Sequence, residues 1–519
     1  MSAVHHLNGN DLTLESFADI VLNRRAVLLA PDAREAVEIS RAIVDDLVLN
    51  DRTAYAITTG VGQLADVRIS AEQARVLQVN LVRSHAVGVG EPLSESESRA
   101  MILLRANSLA KGFSGVRAVI IDTLCEMLNR GVHPVIPSQG SVGASGDLAP
   151  LAHLAQVLIG EGHATFDGRT LTGAEALKAA GIKPIALEAK EAISLINGTQ
   201  AMLAVGSLAL IQIEALADTA DVIGSISLDA LQGTDVAFDS RIHQARPHPG
   251  QIRVAENLRK MMAGSALRER HRDCTRVQDA YSMRCMPQVH GAVRDALAYA
   301  RQVFEIEMNS AVDNPLVFVH ERKVGQPKLK PGQSQTGDIL SGGNFHGQPL
   351  AFALDFLGIV LCALAGISER RIERLVNPQL SEGLPPFLTP EAGLNSGFMM
   401  PQVTAAALVS ENKVFAHPAS VDSITTSGNK EDYVSMGMAS AIKLKKIVAN
   451  SAHVLAIESL AAAQAVDLCA PLKPSPRAQT AINAIRAVSP KLTDDRSLAP
   501  DFAKVAQLIL QGKLATSLA

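Results

Sequence analysis

The sequence predicts a mainly α fold, a large long-helix bundle with a smaller N-terminal part. Three observations carry this. Long runs with apolar residues three and four apart cover about 190–222, 287–311, 349–375, 402–416 and 435–468, the spacing of helix faces. Strand-like runs are short, such as "TAYAI" at 53–57 and "HATFDGRTLT" at 163–172. The 519 residues are 47% hydrophobic and 19% charged, so a large core can be filled. The boundaries read from the sequence are an N-terminal part over 1–200, a long-helix bundle over 201–480 and a C-terminal helical segment over 481–519.

The elements follow in order. In "SESESRAMILLRANSLAKG", Ser94 and Glu97 have capping-box spacing. Met101, Leu104, Ser108 and Leu109 fall near one face, and Gly112 is placed to end the helix. Asp167-Gly168 centres a hairpin within 163–172. Three glycine-rich stretches read as loops: "TTGVGQ" (58–63), "GSVGASGD" (140–147) and "SGGNFHGQP" (341–349). "VGQPKLKPGQSQTGD" (324–338) reads as an exposed loop. Leu350–Ser368 approaches the length of a bilayer span. Asp355 interrupts it, "ERRIERL" continues its pattern, and no second stretch of the kind is read. It is therefore expected as a central helix of a bundle, with no membrane partner.

Composition narrows the function. A net charge of −4 without a basic face argues against nucleic-acid binding. Five cysteines, Cys125, Cys274, Cys285, Cys362 and Cys469, form no CxxC. That usage suits a reduced cytoplasmic protein without disulfides or a thiolate metal site. The N-terminus lacks a basic end followed by an apolar stretch, so no signal peptide is expected. No HExxH or other convincing metal-ligand cluster is read.

The stretch "GSVGASGDLAPLAH" (140–153) fits none of the common glycine-rich motifs. No Lys follows Gly146, so it is not a Walker loop. Glycines spaced three apart do not match the dinucleotide fingerprint. Asp147 stands where a nucleophile elbow needs Gly. Two readings remain: a structural turn ahead of a helix, or a backbone that cyclises. In the second, the unhindered Gly146 nitrogen attacks the Ala144 carbonyl and Ser145 loses its hydroxyl as water, leaving an exocyclic methylene.

The stretch resembles the signature of the aromatic amino acid ammonia-lyase family. "TAYAITTGVG", "LVRSHAVGVG", "LINGTQA", "QDAYSMRCMPQVHGA", "NSAVDNP", "SGGNFHGQP", "GLPPFL" and "SENKVFAHPASVDSITTSGNKEDYVSMG" extend the likeness over nearly the whole chain. The resemblance is greatest to the histidine-acting branch. It implies elimination of ammonia from L-histidine to give urocanate, with a tyrosine-acting lyase or aminomutase as the alternative. It also implies a homotetramer with shared active sites. The cofactor implied is 4-methylideneimidazol-5-one (MIO), made from Ala144, Ser145 and Gly146, with no dissociable cofactor. A catalytically silent helical scaffold is the reading from another class. The intact Ala144-Ser145-Gly146, Tyr55 and Arg284 argue against it.

By the same resemblance, Tyr55 is the catalytic base and Tyr281 a second catalytic tyrosine; the chain has only four tyrosines. Arg284 would pair with the substrate carboxylate through its planar fork. Asn197 and Gln278 match residues near the amine, carboxylate and ring. Asn344 and Phe345 match the patch beside the MIO. Ser84-His85 and Glu431 bear on the side chain recognised: a carboxylate accepts an imidazole N–H, and His85 serves the other nitrogen. Each has a plainer reading, such as a core aromatic, an ion pair, a cap or a satisfied histidine. The chain departs from the family pattern at Ala56, Val61, Thr425, Gly428 and Lys430.

Overall fold

The computed structural model describes residues 4–320 and 336–518. Most of the segment read as an exposed loop, 324–335, lies outside the described residues; Gly337 and Asp338 begin a strand, Gly337–Leu340. The described chain is mainly helical, as the periodicity predicted. It divides into two units. One comprises Met1–Leu208, Arg301–Leu354 and Ala419–Ile442; the other comprises Ala209–Ala300, Asp355–Pro418 and Lys443–Ala519.

Among the described residues, the first unit holds all the strands, in small sheets. The predicted hairpin forms: His163–Phe166 pairs antiparallel with Arg169–Thr172 across Asp167 and Gly168, both at positive φ. Helix Glu95–Ala110 starts at the predicted capping box, with Ser94 N–H donating to Glu97 Oε2 (2.6 Å) and Glu97 N–H to Ser94 Oγ (3.3 Å). Its surroundings differ from the one-faced reading, because every residue from Glu97 to Ala110 is buried. Arg99, Arg105 and Asn107 are buried with its apolar residues, so this helix is the centre of the unit.

Two readings are corrected. "TAYAI" is a turn rather than a strand, and its Ala56 sits at φ +57°. The run at 190–222 is two helices, Glu191–Ile196 and Gln200–Ala230. The break falls at Asn197-Gly198-Thr199, where Gly198 takes φ +151°.

The second unit is helical. Ala365, Ile372, Ala405, Val409, Val454 and Ile457 form one of its apolar clusters. A buried polar network runs through it as well. Arg371 pairs with Glu458, His290 donates from Nδ1 to Asp221 (2.8 Å), and Arg294 pairs with Asp221 (2.6 Å). Among the described residues, two helices are long and apolar enough to cross a membrane, Gln200–Ala230 and Gln348–Val376. The second was anticipated and the first was not. Over their most apolar windows they are 72% and 56% buried, as core helices are.

Candidate active site

The glycine-rich loop lies against the break between the two helices. Gly146 takes φ +72° and bridges to Gly198. A Cβ on Gly146 would lie 2.1 Å from the Gly198 carbonyl oxygen, so no other residue fits. Asp147 N–H donates to that carbonyl (2.6 Å). Asn197 Nδ2 donates to the Ser145 carbonyl oxygen (2.7 Å). Asp147 is fully buried and clamps the loop further, accepting from Ser141 Oγ (2.9 Å) and Met202 N–H (2.8 Å). Burial pushes its carboxyl up to about 6, against the pull of these donors. Gly143 is held from the other side, its carbonyl accepting from Ser435 Oγ (2.9 Å). The loop is thus fixed at both ends, with the Ala144–Gly146 backbone tightly bent between them.

A cavity of about 350 Å³ opens over this loop, lined by Tyr55, Gly62, His85, Ser145, Asn197, Phe345 and Glu431 among others. A second, of about 610 Å³, shares Tyr55, Ser145, Phe345 and Glu431 and adds Ala144, His346 and Lys430. The Tyr55 hydroxyl accepts from Gly62 N–H (3.1 Å), which fixes the ring's tip within its loop. Glu431 Oε1 accepts from Ser145 Oγ (2.7 Å), and its Oε2 accepts from Thr426 Oγ1 (2.7 Å).

His85 is the last residue of helix Ala71–His85. Its Nδ1 lies 2.8 Å from the Leu81 carbonyl oxygen. A carbonyl only accepts, so Nδ1 carries the hydrogen and Nε2 keeps its lone pair. Burial pushes this histidine below its ordinary range, partly opposed by the Leu81 carbonyl and the Glu431 carboxylate. A neutral ring that accepts at Nε2 therefore lines the cavity, as does the Glu431 carboxylate.

Of the residues singled out in the sequence, Tyr55, His85, Ala144, Ser145, Asn197, Phe345 and Glu431 line these cavities, and Gly146 lies in the loop beneath. Asn344 lines neither; its Nδ2 donates to the Ala311 carbonyl (3.2 Å) and anchors the loop that presents Phe345. Gln278, Tyr281 and Arg284 belong to the second unit and also line neither. Arg284 stacks over the Tyr281 ring, 4.7 Å from its centroid, and Tyr281 is 72% exposed. Lys430 is exposed on the wall of the larger cavity. Sequence reasoning missed Thr426, which holds Glu431, and Asn314, which lines both cavities. Asn314 carried a signal, as a polar residue ahead of a proline in "VDNP". Thr426 carried none.

Comparison with known proteins defines the class. The family described as aromatic amino acid lyase matches residues 12–487. The chain is 69% identical to the histidine ammonia-lyase of Koribacter versatilis (strain Ellin345), over 99% of both chains. Among solved structures, it resembles histidine ammonia-lyase from Trypanosoma cruzi at TM-score 0.89 and 40% identity, over 99% of this chain and 95% of that one. Tyrosine aminomutase from Streptomyces globisporus gives TM-score 0.91 and 39% identity, over 99% and 98%. This chain belongs to the aromatic amino acid lyase family.

Proposed function

We propose that this chain is a carbon–nitrogen lyase that eliminates ammonia from L-histidine to give urocanate. The observation that carries the reading is a pair of acceptor residues, His85 with Nε2 left free by its Nδ1 bond and Glu431 with its carboxylate, lining one cavity with Tyr55 and Ser145. An imidazolium offers two N–H donors, and two acceptors meet them. Charge on that ring also makes the adjacent β-proton more acidic. The relatives named histidine ammonia-lyase support the same substrate.

The residues around Ser145 fit the ring that such an enzyme needs. Only glycine is tolerated at 146, its nitrogen is unhindered, and Asn197 already holds the Ser145 carbonyl. When formed by loss of two waters, the methylidene-imidazolone supplies the electrophile that draws electrons from the substrate. Asn197 Nδ2 is placed to stabilise negative charge on the carbonyl oxygen. Tyr55 takes the β-proton. Phe345 packs against the substrate ring.

The proposed assembly is a homotetramer in the cytoplasm, with active sites shared between subunits. Gln278, Tyr281 and Arg284 then reach the site from a neighbouring subunit, Arg284 to bind the carboxylate. The exposure of Tyr281 supports this, as do Phe352, Phe356 and Ile359 on helix Gln348–Val376, which are 51%, 41% and 46% exposed. A tyrosine-acting lyase or aminomutase is the second reading. The likeness to tyrosine aminomutase favours it, as does His85 Nε2, which can accept a phenol O–H. Assaying L-histidine, L-tyrosine and L-phenylalanine side by side decides between them. Deamination of tyrosine with none of histidine overturns the proposal.

A further inference from the structure

Helix Glu95–Ala110 buries two arginines near its axis, and they are satisfied very differently. Arg99 donates through all three of its nitrogens, to the Val21, Leu128 and Ile20 carbonyls (3.1, 3.0 and 3.0 Å). That is a structural arginine, its fork closing the C-terminal carbonyls of helices Leu14–Leu22 and Ala118–Arg130. Arg105 is 0% exposed, yet it bonds through Nη1 alone, to the Asn197 carbonyl (2.7 Å) and Gln200 Oε1 (2.9 Å). Its Nε and Nη2 are buried with no hydrogen-bond partner among the described residues. The carboxylate that acts on it, Asp313, already accepts from Ser114 Oγ (3.0 Å) and pairs with Lys190 (3.3 Å). Burial lowers Arg105 to about 10, which leaves it a cation at neutral pH. A buried charge without its own counter-ion destabilises a fold, so stability alone does not account for it.

Its position suggests what it does. The carbonyl that Arg105 holds belongs to Asn197, whose Nδ2 donates to the Ser145 carbonyl oxygen. The next residue, Gly198, accepts from Asp147 N–H and passes so close to Arg105 that a Cβ there would lie 2.5 Å from Nη1. The guanidinium therefore backs the same segment that cradles residues 145–147.

We infer that Arg105 is a positioning residue for the electrophilic centre, a fixed buried cation that holds Asn197 on the Ser145 carbonyl and strengthens its pull on electrons there. The inference rests on the reading of Ala144-Ser145-Gly146 as a methylidene-imidazolone. Gln200 is the neutral acceptor that leaves the cation uncompensated, and a glutamate in its place would cancel the charge. The cradle would then stay intact, the fold would lose a buried unpaired charge, and the centre would become a poorer electrophile.

The test uses Gln200→Glu and Arg105→Met, with cyanide as the probe. Cyanide carbon bonds to the exocyclic methylene carbon, the double-bond electrons pass to the carbonyl oxygen, and water supplies the proton. Intact mass first reports loss of two waters, then the gain of one HCN over time in the dehydrated chain. Both variants are expected to dehydrate and to add cyanide about tenfold more slowly than wild type, less than the ~100-fold or more for deleting an oxyanion donor itself. Gln200→Glu is expected to melt no lower than wild type. A purely structural Arg105 would leave the cyanide rate of Gln200→Glu unchanged, and that result overturns the inference. If Arg105→Met fails to fold, Gln200→Glu still decides. A wild-type chain that has lost no water overturns the ring reading instead.

Discussion

Gly146→Ala should destabilise the chain by about 5 kcal/mol and stop the dehydration of Ser145. At φ +72° an alanine carries the left-handed penalty of roughly 1–2 kcal/mol. The new methyl would lie 2.1 Å from the Gly198 oxygen and 2.3 Å from its carbon. Relieving that overlap moves backbone against backbone, at roughly 1–3 kcal/mol. The shift also pulls Asp147 N–H from the Gly198 carbonyl, and a buried donor left unpaired costs about 1–3 kcal/mol. Against these stands a gain of only about 0.4–1 kcal/mol from the stiffer unfolded chain. Gly168 provides the control. Its φ is +73°, and a Cβ there meets nothing within 4 Å. Gly168→Ala therefore carries the backbone penalty without the collision, and should cost about 1 kcal/mol. Urea denaturation of both variants beside wild type separates the two effects, and intact mass reports whether the two waters leave. If Gly146→Ala proves no less stable than Gly168→Ala, or still dehydrates, the close approach to Gly198 does not govern this loop.

Three further outcomes follow from the site. Histidine turnover should fall as pH drops through the His85 pKa, below 6.5, because protonation turns Nε2 from acceptor to donor; His85→Gln, which keeps an acceptor, should lose that acid limb in a pH–kcat/KM profile. Glu431→Gln should lower kcat/KM for histidine by about 10–100-fold, the worth of a charge-assisted contact, while any residual tyrosine turnover changes far less; equal losses on both substrates would count against an imidazole site. Asp147, raised to about 6 from 3.8, binds its proton more tightly folded than unfolded. Its stabilisation is complete well below pH 3.8 and is lost as pH rises to about 6, so between pH 4 and 7 Asp147→Asn should gain about 2 kcal/mol on wild type in urea titrations at the two pH values.

The parts of this molecule that were legible in the sequence are those where local pattern and tertiary setting agree. Helix Glu95–Ala110 announced itself through Ser94 and Glu97, and the 163–172 hairpin through Asp167-Gly168. Their hydrogen bonds are made within a few residues, so the pattern contains them. The helix break at 197–199 was hidden because residues 191–207 are buried without exception, so no polar face marks the interruption. Only Asn197-Gly198 marked it, and a glycine inside a helical pattern is common enough to pass. "TAYAI" misled for the opposite reason. Its residues have strand propensity, but Ala56 is held in a left-handed turn with its N–H on Thr59 Oγ1 (3.1 Å).

The candidate site was legible as a set of residue types and illegible as a set of connections. Tyr55, His85, Asn197 and Glu431 could be singled out because each sits in a motif. That Glu431 bonds Ser145, 286 positions earlier, and that Asn197 bonds its carbonyl, follow only from the packing of three distant segments. Arg105 was the least visible of all. In the sequence it is a charge on a helix read as one-faced, where a solvated face is the natural reading. Burial of the helix on every side turns that charge into a standing cost, and the cost is what points to function. A side chain that destabilises its fold yet touches the carbonyl of Asn197 is doing something that stability alone would not retain.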